Sequence, residues 1–101
     1  MQARITRFKM RADSVETARA MMDELKGDIL GQPGVRHMLI VMNEDGAGYV
    51  IGQIDETGAS PEAVDRVRTI WRRFHDLLDD TPDPEIYEVF ADWRPDSRRT
   101  T

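Results

Sequence analysis

The sequence predicts an α+β fold in which two helices cover one face of a four-stranded antiparallel sheet. Two observations predict it. The elements follow the order strand, helix, strand, strand, helix, strand, and a central hairpin turns at Asp45-Gly46 between two apolar runs. Two helices can cover only one face of such a sheet, whereas the strands are apolar on both faces. The fold class therefore implies that a partner covers the second face.

The first half of the chain reads as a strand followed by a helix. Residues 3–10 form the predicted first strand, and Asp13-Ser14 offers an N-cap for the helix. Pro33-Gly34 follows the helix and separates it from the next strand. The helix carries an apolar stripe at spacings of three and four residues. This stripe consists of Val15, Ala18, Met22, Leu25 and Ile29.

The second half contains the hairpin and a second helix. The apolar runs 35–42 and 49–54 flank a turn that is rich in Gly and Asp, which tolerate positive backbone angles. Ser60 offers a helix cap and is followed directly by a proline and an acid, a typical helix start. The apolar stripe that follows consists of Ala63, Val64, Val67, Ile70, Trp71, Phe74, Leu77 and Leu78.

A last strand over 86–93 completes one predicted domain, residues 1–93, and we expect the polar segment 94–101 to be a flexible tail. The chain of 101 residues suffices for one modest core, and its formal charge of -5 argues against a nucleic-acid partner. No apolar run approaches the roughly 20 residues of a membrane span. There is no cysteine, and the two histidines are far apart in sequence. We therefore expect a cytoplasmic protein without a membrane segment, metal site or bound cofactor.

Side-chain alternation divides the strand residues into two sets. Apart from the end residues Arg4 and Arg36, one set is uncharged, and we assign it to the helix-covered core. It contains Thr6, Phe8, Met10, Met38, Ile40, Met42, Val50, Gly52, Ile54, Tyr87, Val89 and Ala91. The other set mixes apolar and polar groups. It contains Ile5, Arg7, Lys9, His37, Leu39, Val41, Tyr49, Ile51, Gln53, Ile86, Glu88 and Phe90. Such a face suits a ligand cavity, a homodimer interface about a two-fold axis, or both.

The polar side chains of the mixed set are candidates for chemistry. His37 can take a proton from a phenol near neutral pH, or be an ordinary strand histidine bonded to a neighbour. Arg7 and Glu88 are predicted to share this face, either as an oxyanion-binding group with a base or as an interface ion pair. Tyr49 and Gln53 either hydrogen-bond a ligand or pack across strands.

Two further candidates belong to the second helix. Trp71 falls within the apolar stripe, so it either packs in the core or lines a pocket. His75 lies about 80° from the centre of the stripe, at the boundary of the buried face. It either flanks a pocket entrance or is a half-exposed helix residue.

Taken together, these features resemble the dimeric α+β barrels of the ferredoxin-like type, and specifically the antibiotic biosynthesis monooxygenase superfamily. The resemblance covers about residues 3–93 and rests on the βαββαβ order, the Pro33-Gly34-Val35 entry to the second strand and Trp71 on the second helix. It implies a homodimeric, cofactor-free monooxygenase that acts on a small hydrophobic or phenolic substrate. The alternative is a non-catalytic ligand-binding or interaction dimer of the same fold.

The functional residues of that superfamily are matched only in part. Quinone-forming members resemble this chain in the tryptophan, here Trp71, but place an asparagine one turn earlier, where this chain has Val67. Haem-degrading members use an asparagine on the first strand, which here offers Thr6 and Arg7, and their helix histidine lies farther from the tryptophan than His75 does. Haem degradation is therefore the less favoured implication. We predict a catalytic set of Arg7, His37 and Glu88, and a substrate-binding set of Tyr49, Gln53, Trp71 and His75.

Overall fold

The computed structural model describes residues 1–95, which form one four-stranded antiparallel sheet with two helices. The strands are β1 (Gln2–Lys9), β2 (Val35–Met42), β3 (Ala47–Ile54) and β4 (Glu85–Glu88), and the helices are α1 (Val15–Leu30) and α2 (Pro61–Arg72). The strand order is β2-β3-β1-β4. The predicted fold class is confirmed. Most of the predicted flexible tail, residues 96–101, lies outside the described residues.

The β2–β3 hairpin turns where the sequence predicts it. The Asn43 N–H donates to the Ala47 carbonyl at 2.8 Å, and the Gly46 N–H donates to the Asn43 carbonyl at 3.0 Å. Gly46 has a φ of 90°, which residues with a Cβ rarely adopt. A Cβ at this position would also collide with the Met10 carbonyl oxygen. Glycine is therefore required here, both for the turn and for the close approach to the end of β1.

The two helices begin differently. At the start of α1, Ser14 occupies the predicted N-cap position, but its hydroxyl donates to the Asp13 carboxylate and caps no helix N–H. A short 3-10 turn, Ala12–Ser14, leads into the helix. At the start of α2, the Ala63 N–H donates to the Ser60 hydroxyl at 3.2 Å, so this predicted cap is confirmed. Within residues 1–95, no helix is long and apolar enough to cross a bilayer.

The core lies between the sheet and the two helices. Its buried cluster consists of Phe8, Met10, Ala18, Leu25, Val67, Trp71, Phe74 and Leu78. Trp71 contacts two aromatic rings, with centroid distances of 5.5 Å to Phe8 and 5.8 Å to Phe74, both in tilted arrangements. α2 ends at Arg72, earlier than the predicted stripe, but the chain that follows keeps Phe74 and Leu78 buried.

The predicted fourth strand is wrong in its length and in the direction of its side chains. β4 ends at Glu88, and its register places Ile86 opposite Arg4 and Glu88 opposite Gln2. Paired residues of antiparallel strands point to the same face, so Ile86 and Glu88 belong to the helix-covered side and Tyr87 to the other side. Apolar residues stand at both parities of this segment. Its own pattern therefore does not determine which parity faces the helices, and the register with β1 does.

Candidate functional site

A narrow cleft lies between the helices and the sheet, and we call it the cleft from here on. Most of its lining is apolar, including Met22, Ile29, Met38, Val67 and Trp71. Three polar side chains also line it, namely Arg4, Thr6 and Gln32. Its volume is about 40 Å³. A cavity that binds benzene has a volume of about 150 Å³, so the cleft must widen before it admits an organic molecule.

Arg4 places a positive charge inside the cleft. Of the described residues that line it, Arg4 alone is charged, and it is only 4% exposed. Its guanidinium donates to the Gly58 carbonyl at 3.2 Å and to the Gln32 side-chain oxygen at 3.3 Å, both neutral acceptors. None of the ion pairs within residues 1–95 includes it. Burial lowers the pKa of Arg4, yet a guanidinium stays protonated at neutral pH. The cleft therefore contains a cation with no anionic partner among residues 1–95.

Sequence reasoning missed Arg4, which it treated as a strand-end residue. An arginine at the start of a strand usually extends its head group into water. A signal was nevertheless present, because Arg4 has the same parity as Thr6 and Phe8. All three residues are buried on the helix-covered side of β1. The burial of Arg4 therefore agrees with its parity along β1.

Gly52 of β3 lies between Arg4 of β1 and Met38 of β2. There is room at this position for the methyl group of an alanine. A Cβ at Gly52 would lie 3.8 Å from Arg4 Nη2 and 3.4 Å from Met38 Cε, both ordinary contacts. We expect Gly52→Ala to raise the free energy of unfolding by about 0.5–1 kcal/mol, because alanine restricts the unfolded chain. Urea denaturation measures this change.

Gly48→Ala is the matched control in the same strand, and it should have the opposite sign. A Cβ at Gly48 would overlap the Val41 carbonyl oxygen and lie 2.7 Å from the tip of the Phe8 ring. If both variants lost stability equally, the conclusion that a Cβ fits at Gly52 but not at Gly48 would be wrong.

The opposite face of the sheet exposes large apolar side chains. We define the open face by the residues Ile5, Leu39, Val41, Tyr49, Ile51 and Tyr87. Leu39 is 51% exposed, Tyr87 48%, Tyr49 44% and Val41 42%. Large apolar side chains exposed together on one face are typical of interaction surfaces.

The predicted site residues on this face form two separate pairs. Arg7 of β1 lies opposite Tyr49 of β3, and His37 of β2 lies opposite Gln53 of β3. The pairs lie at different levels of the sheet, because Tyr49 and Gln53 are four positions apart along β3. The side-chain amide of Gln53 also donates to the Asp92 carboxylate at 3.1 Å.

Glu88 does not join Arg7, so the predicted juxtaposition of these two residues is wrong. Glu88 lies opposite Gln2, at the far end of β1, and on the helix-covered parity. The acid of β4 that shares the face of Arg7 is Glu85, which lines a wide groove of about 830 Å³ together with Arg7 and Tyr49. The Tyr87 hydroxyl donates to Glu85, and this bond to a carboxylate raises the pKa of Tyr87.

Trp71 and His75 lie in different surroundings. Trp71 is 7% exposed and lines the cleft. His75 belongs to the 3-10 turn His75–Leu77 that follows α2, is exposed, and has Nδ1 at 3.4 Å from the Asp76 carboxylate. The functional roles of Arg7, His37, Glu88, Tyr49, Gln53, Trp71 and His75 stay predictions. Within residues 1–95, no group of three or more His, Asp or Glu side chains is placed to hold a metal ion.

Comparison with solved structures identifies the fold. Rv0793 from Mycobacterium tuberculosis has a TM-score of 0.62 at 18% identity, over 90% of this chain and 96% of its own. An antibiotic biosynthesis monooxygenase has a TM-score of 0.63 at 10% identity, over 90% and 100%. L-rhamnose mutarotase FA22100 from Formosa agariphila has a TM-score of 0.59 at 18% identity, over 91% and 98%. No family model and no curated protein matches the sequence.

These neighbours differ in the activities that their names state, so the likeness establishes the fold and no activity. This chain shares its overall fold with the monooxygenase structures, namely the βαββαβ order, the antiparallel sheet and the two helices. The chain therefore has the ferredoxin-like α+β fold of the antibiotic biosynthesis monooxygenase-like proteins, as its element order predicts.

Proposed function

We propose that this protein is a homodimeric enzyme that oxygenates a small, flat hydrophobic or aromatic substrate in the cleft, without a bound cofactor. The composition of the cleft carries this proposal. Apolar walls that include the Trp71 indole surround one buried cation, Arg4. Small-molecule sites typically combine apolar walls with a few fixed polar groups of this kind.

Arg4 supplies the electrostatic part of the proposed chemistry. An aromatic ketone with an acidic methylene that is conjugated to the carbonyl through the rings becomes electron-rich when it loses a proton to the solvent, and the resulting enolate can react with dioxygen. A guanidinium in a poorly solvated site stabilises such an oxyanion more than water does. The methylene carbon then becomes a carbonyl carbon. It takes one atom of dioxygen, and the other atom leaves as water with the two methylene hydrogens. Dioxygen accepts all four electrons.

The cleft has walls that can adapt to a substrate larger than its present volume. Met22 and Met38 line it, and methionine side chains repack at small energetic cost because they are unbranched. Ile40, another lining residue on the edge strand β2, is 38% exposed. A substrate would therefore enter beside β2.

The open face supports the homodimeric part of the proposal. Its apolar side chains need a cover, and a second copy of the chain offers the same surface about a two-fold axis. Beyond β4, Phe90 and Trp93 add two more exposed aromatic rings, at 101% and 90% exposure. The groups Arg7, His37, Tyr49 and Gln53 would then lie at or near the interface.

Anthrone, a flat tricyclic ketone with an acidic ring methylene, tests the proposed reaction. We expect the protein to accelerate uptake of dioxygen and formation of anthraquinone above the spontaneous rate. Arg4→Met should lower the catalysed rate about 100-fold, the usual effect of removing one oxyanion-stabilising donor. Arg66→Met removes a charge from the exposed surface of α2 and is the matched control. A rate equal to the spontaneous one for the wild-type protein would contradict the oxygenase proposal for this substrate class.

The second candidate function is ligand binding without chemistry, and one observation favours it. The described lining of the cleft contains no carboxylate and no histidine that can serve as a general base. In that case anthrone would bind and protect the protein against unfolding, while the rate of dioxygen uptake would stay at its spontaneous value.

A further inference from the structure

We propose that Arg4 and Gln32 form an anion-binding subsite in the cleft, and that the ligand of this protein is a flat organic anion whose oxygen replaces the Gln32 amide on the guanidinium. This inference rests on the proposed function and deepens it, because it names the chemical class of the substrate: a phenolate, an enolate or an aromatic carboxylate.

Arg4 carries a positive charge that is buried. Moving a cation out of water is costly, and buried arginines are normally paired with carboxylates. Asp55 lies in the same loop as Gly58, but its carboxylate is bonded elsewhere. It accepts hydrogen bonds from the Thr57 and Gly58 N–H groups and forms an ion pair with the exposed Arg36 at 3.1 Å. Asp55 therefore does not pair with Arg4.

The hydrogen bonds that Arg4 forms are few and leave donors of its guanidinium available. A guanidinium has five N–H donors, and the described contacts are one bond from Nη1 to the Gly58 carbonyl and one from Nη2 to Gln32. The bond to Gln32 is 3.3 Å long, beyond the usual range of about 2.7–3.2 Å, and its acceptor is neutral. Charge-assisted bonds are about twice as strong as neutral ones. An anionic oxygen would therefore displace the amide of Gln32.

The walls of the cleft determine what kind of molecule can carry the anion. Trp71 and Phe74 both line the cleft and present aromatic rings 5.8 Å apart. Val67 and Ile70 of α2 add aliphatic surface. A flat aromatic body fits such walls, whereas a strongly hydrated inorganic anion would lose its water shell without compensation. The oxygen of the ligand would lie on Arg4 and its rings against α2.

The probe for this subsite is 4-nitrophenol, a flat phenol whose anion absorbs visible light and which ionises near neutral pH. In the presence of excess protein, we expect its apparent pKa to fall by about one unit, because Arg4 should bind the phenolate about 10-fold more tightly than the phenol. Arg4→Met should abolish the shift. Arg4→Lys, which keeps a positive charge, should retain part of it, and the surface control Arg66→Met should retain all of it.

Gln32→Ala gives a second variant that does not depend on the folding of Arg4→Met. Gln32 lies in the loop between α1 and β2 and competes for the guanidinium in the proposed subsite. Its removal should tighten phenolate binding several-fold and enlarge the pKa shift. An unchanged or smaller shift in Gln32→Ala would contradict the idea that the amide is a displaceable substitute for the anion.

A neutral analogue separates this inference from the proposed function. 4-Nitroanisole has nearly the same shape as 4-nitrophenol but cannot ionise, and quenching of Trp71 fluorescence in a Trp93→Phe background reports its binding. Binding of 4-nitroanisole without any pKa shift of 4-nitrophenol would overturn the anion subsite and leave the cleft as a ligand site. A pKa shift that persists in Arg4→Met would also overturn it. Absence of binding by both probes would overturn the subsite and the cleft together.

Discussion

Phe8→Ala is expected to lower the free energy of unfolding by about 3–5 kcal/mol. Phe8 is 4% exposed and packs its ring against Trp71 at 5.5 Å, so the truncation removes the contact that joins β1 to α2. The backbone of Gly48 forms the other side of the pocket and cannot move into the cavity without breaking the β2–β3 pairing. Since domains of this size are stable by about 5–15 kcal/mol, urea denaturation should show a large loss or an unfolded chain.

Phe8→Leu is the graded control for this prediction. Leucine keeps most of the buried apolar volume, so we expect a loss of about 1–1.5 kcal/mol. A loss below about 1 kcal/mol for Phe8→Ala would contradict a core organised around the Phe8–Trp71 contact. The same urea curves should have similar slopes, because both variants expose nearly the same surface when they unfold.

Ile51→Lys is expected to convert the proposed homodimer into a monomer. Ile51 lies at the middle of an apolar row on the open face, between Ile5 of β1 and Leu39 of β2. Because a two-fold interface uses the same surface of both subunits, the substitution places two lysines in it. The effective cost of burying an unpaired charge is several kcal/mol. The dissociation constant should therefore rise by more than about 1000-fold. Light scattering should report a mass of 11.6 kDa for the variant and twice that mass for the wild-type chain.

Ala20→Lys tests whether charge alone explains such a result. Ala20 is exposed on α1, away from the open face, so the lysine adds the same charge without entering the proposed interface. This control should remain a dimer. A wild-type monomer of 11.6 kDa, or an Ile51→Lys protein that stays dimeric, would contradict the proposal that a second copy covers the open face.

Local chemistry explains which parts of the fold could be predicted from the sequence. The hairpin at Gly46 and the start of α2 at Ser60 each depend on a few neighbouring residues, and both are confirmed. The buried face of β1 follows from alternation over one strand, with Phe8 and Met10 as its apolar markers. Such features need no knowledge of what lies across the molecule.

The remaining features depend on residues that are distant in sequence. The face of the sheet to which Glu88 belongs follows from its register with Gln2, which is nearly the whole chain away in sequence. The alternation of residues within β4 does not determine this register. The burial of Arg4 depends on Gln32 and Gly58, which belong to two separate loops. The predicted site residues Arg7 and His37 do share the open face. Their separation follows from the strand order, in which β3 lies between β1 and β2.

The two bonds of Arg4 have a consequence for how the molecule can move. One bond reaches the loop that ends α1, through Gln32, and the other reaches the loop that starts α2, through Gly58. The two loops are also joined to each other, because the Asp55 N–H of the second loop donates to the Gly34 carbonyl of the first at 3.0 Å. An anion that replaces Gln32 would break only the side-chain bond to the first loop and leave this backbone bond in place. Binding would then free the Gln32 side chain without separating the two loops.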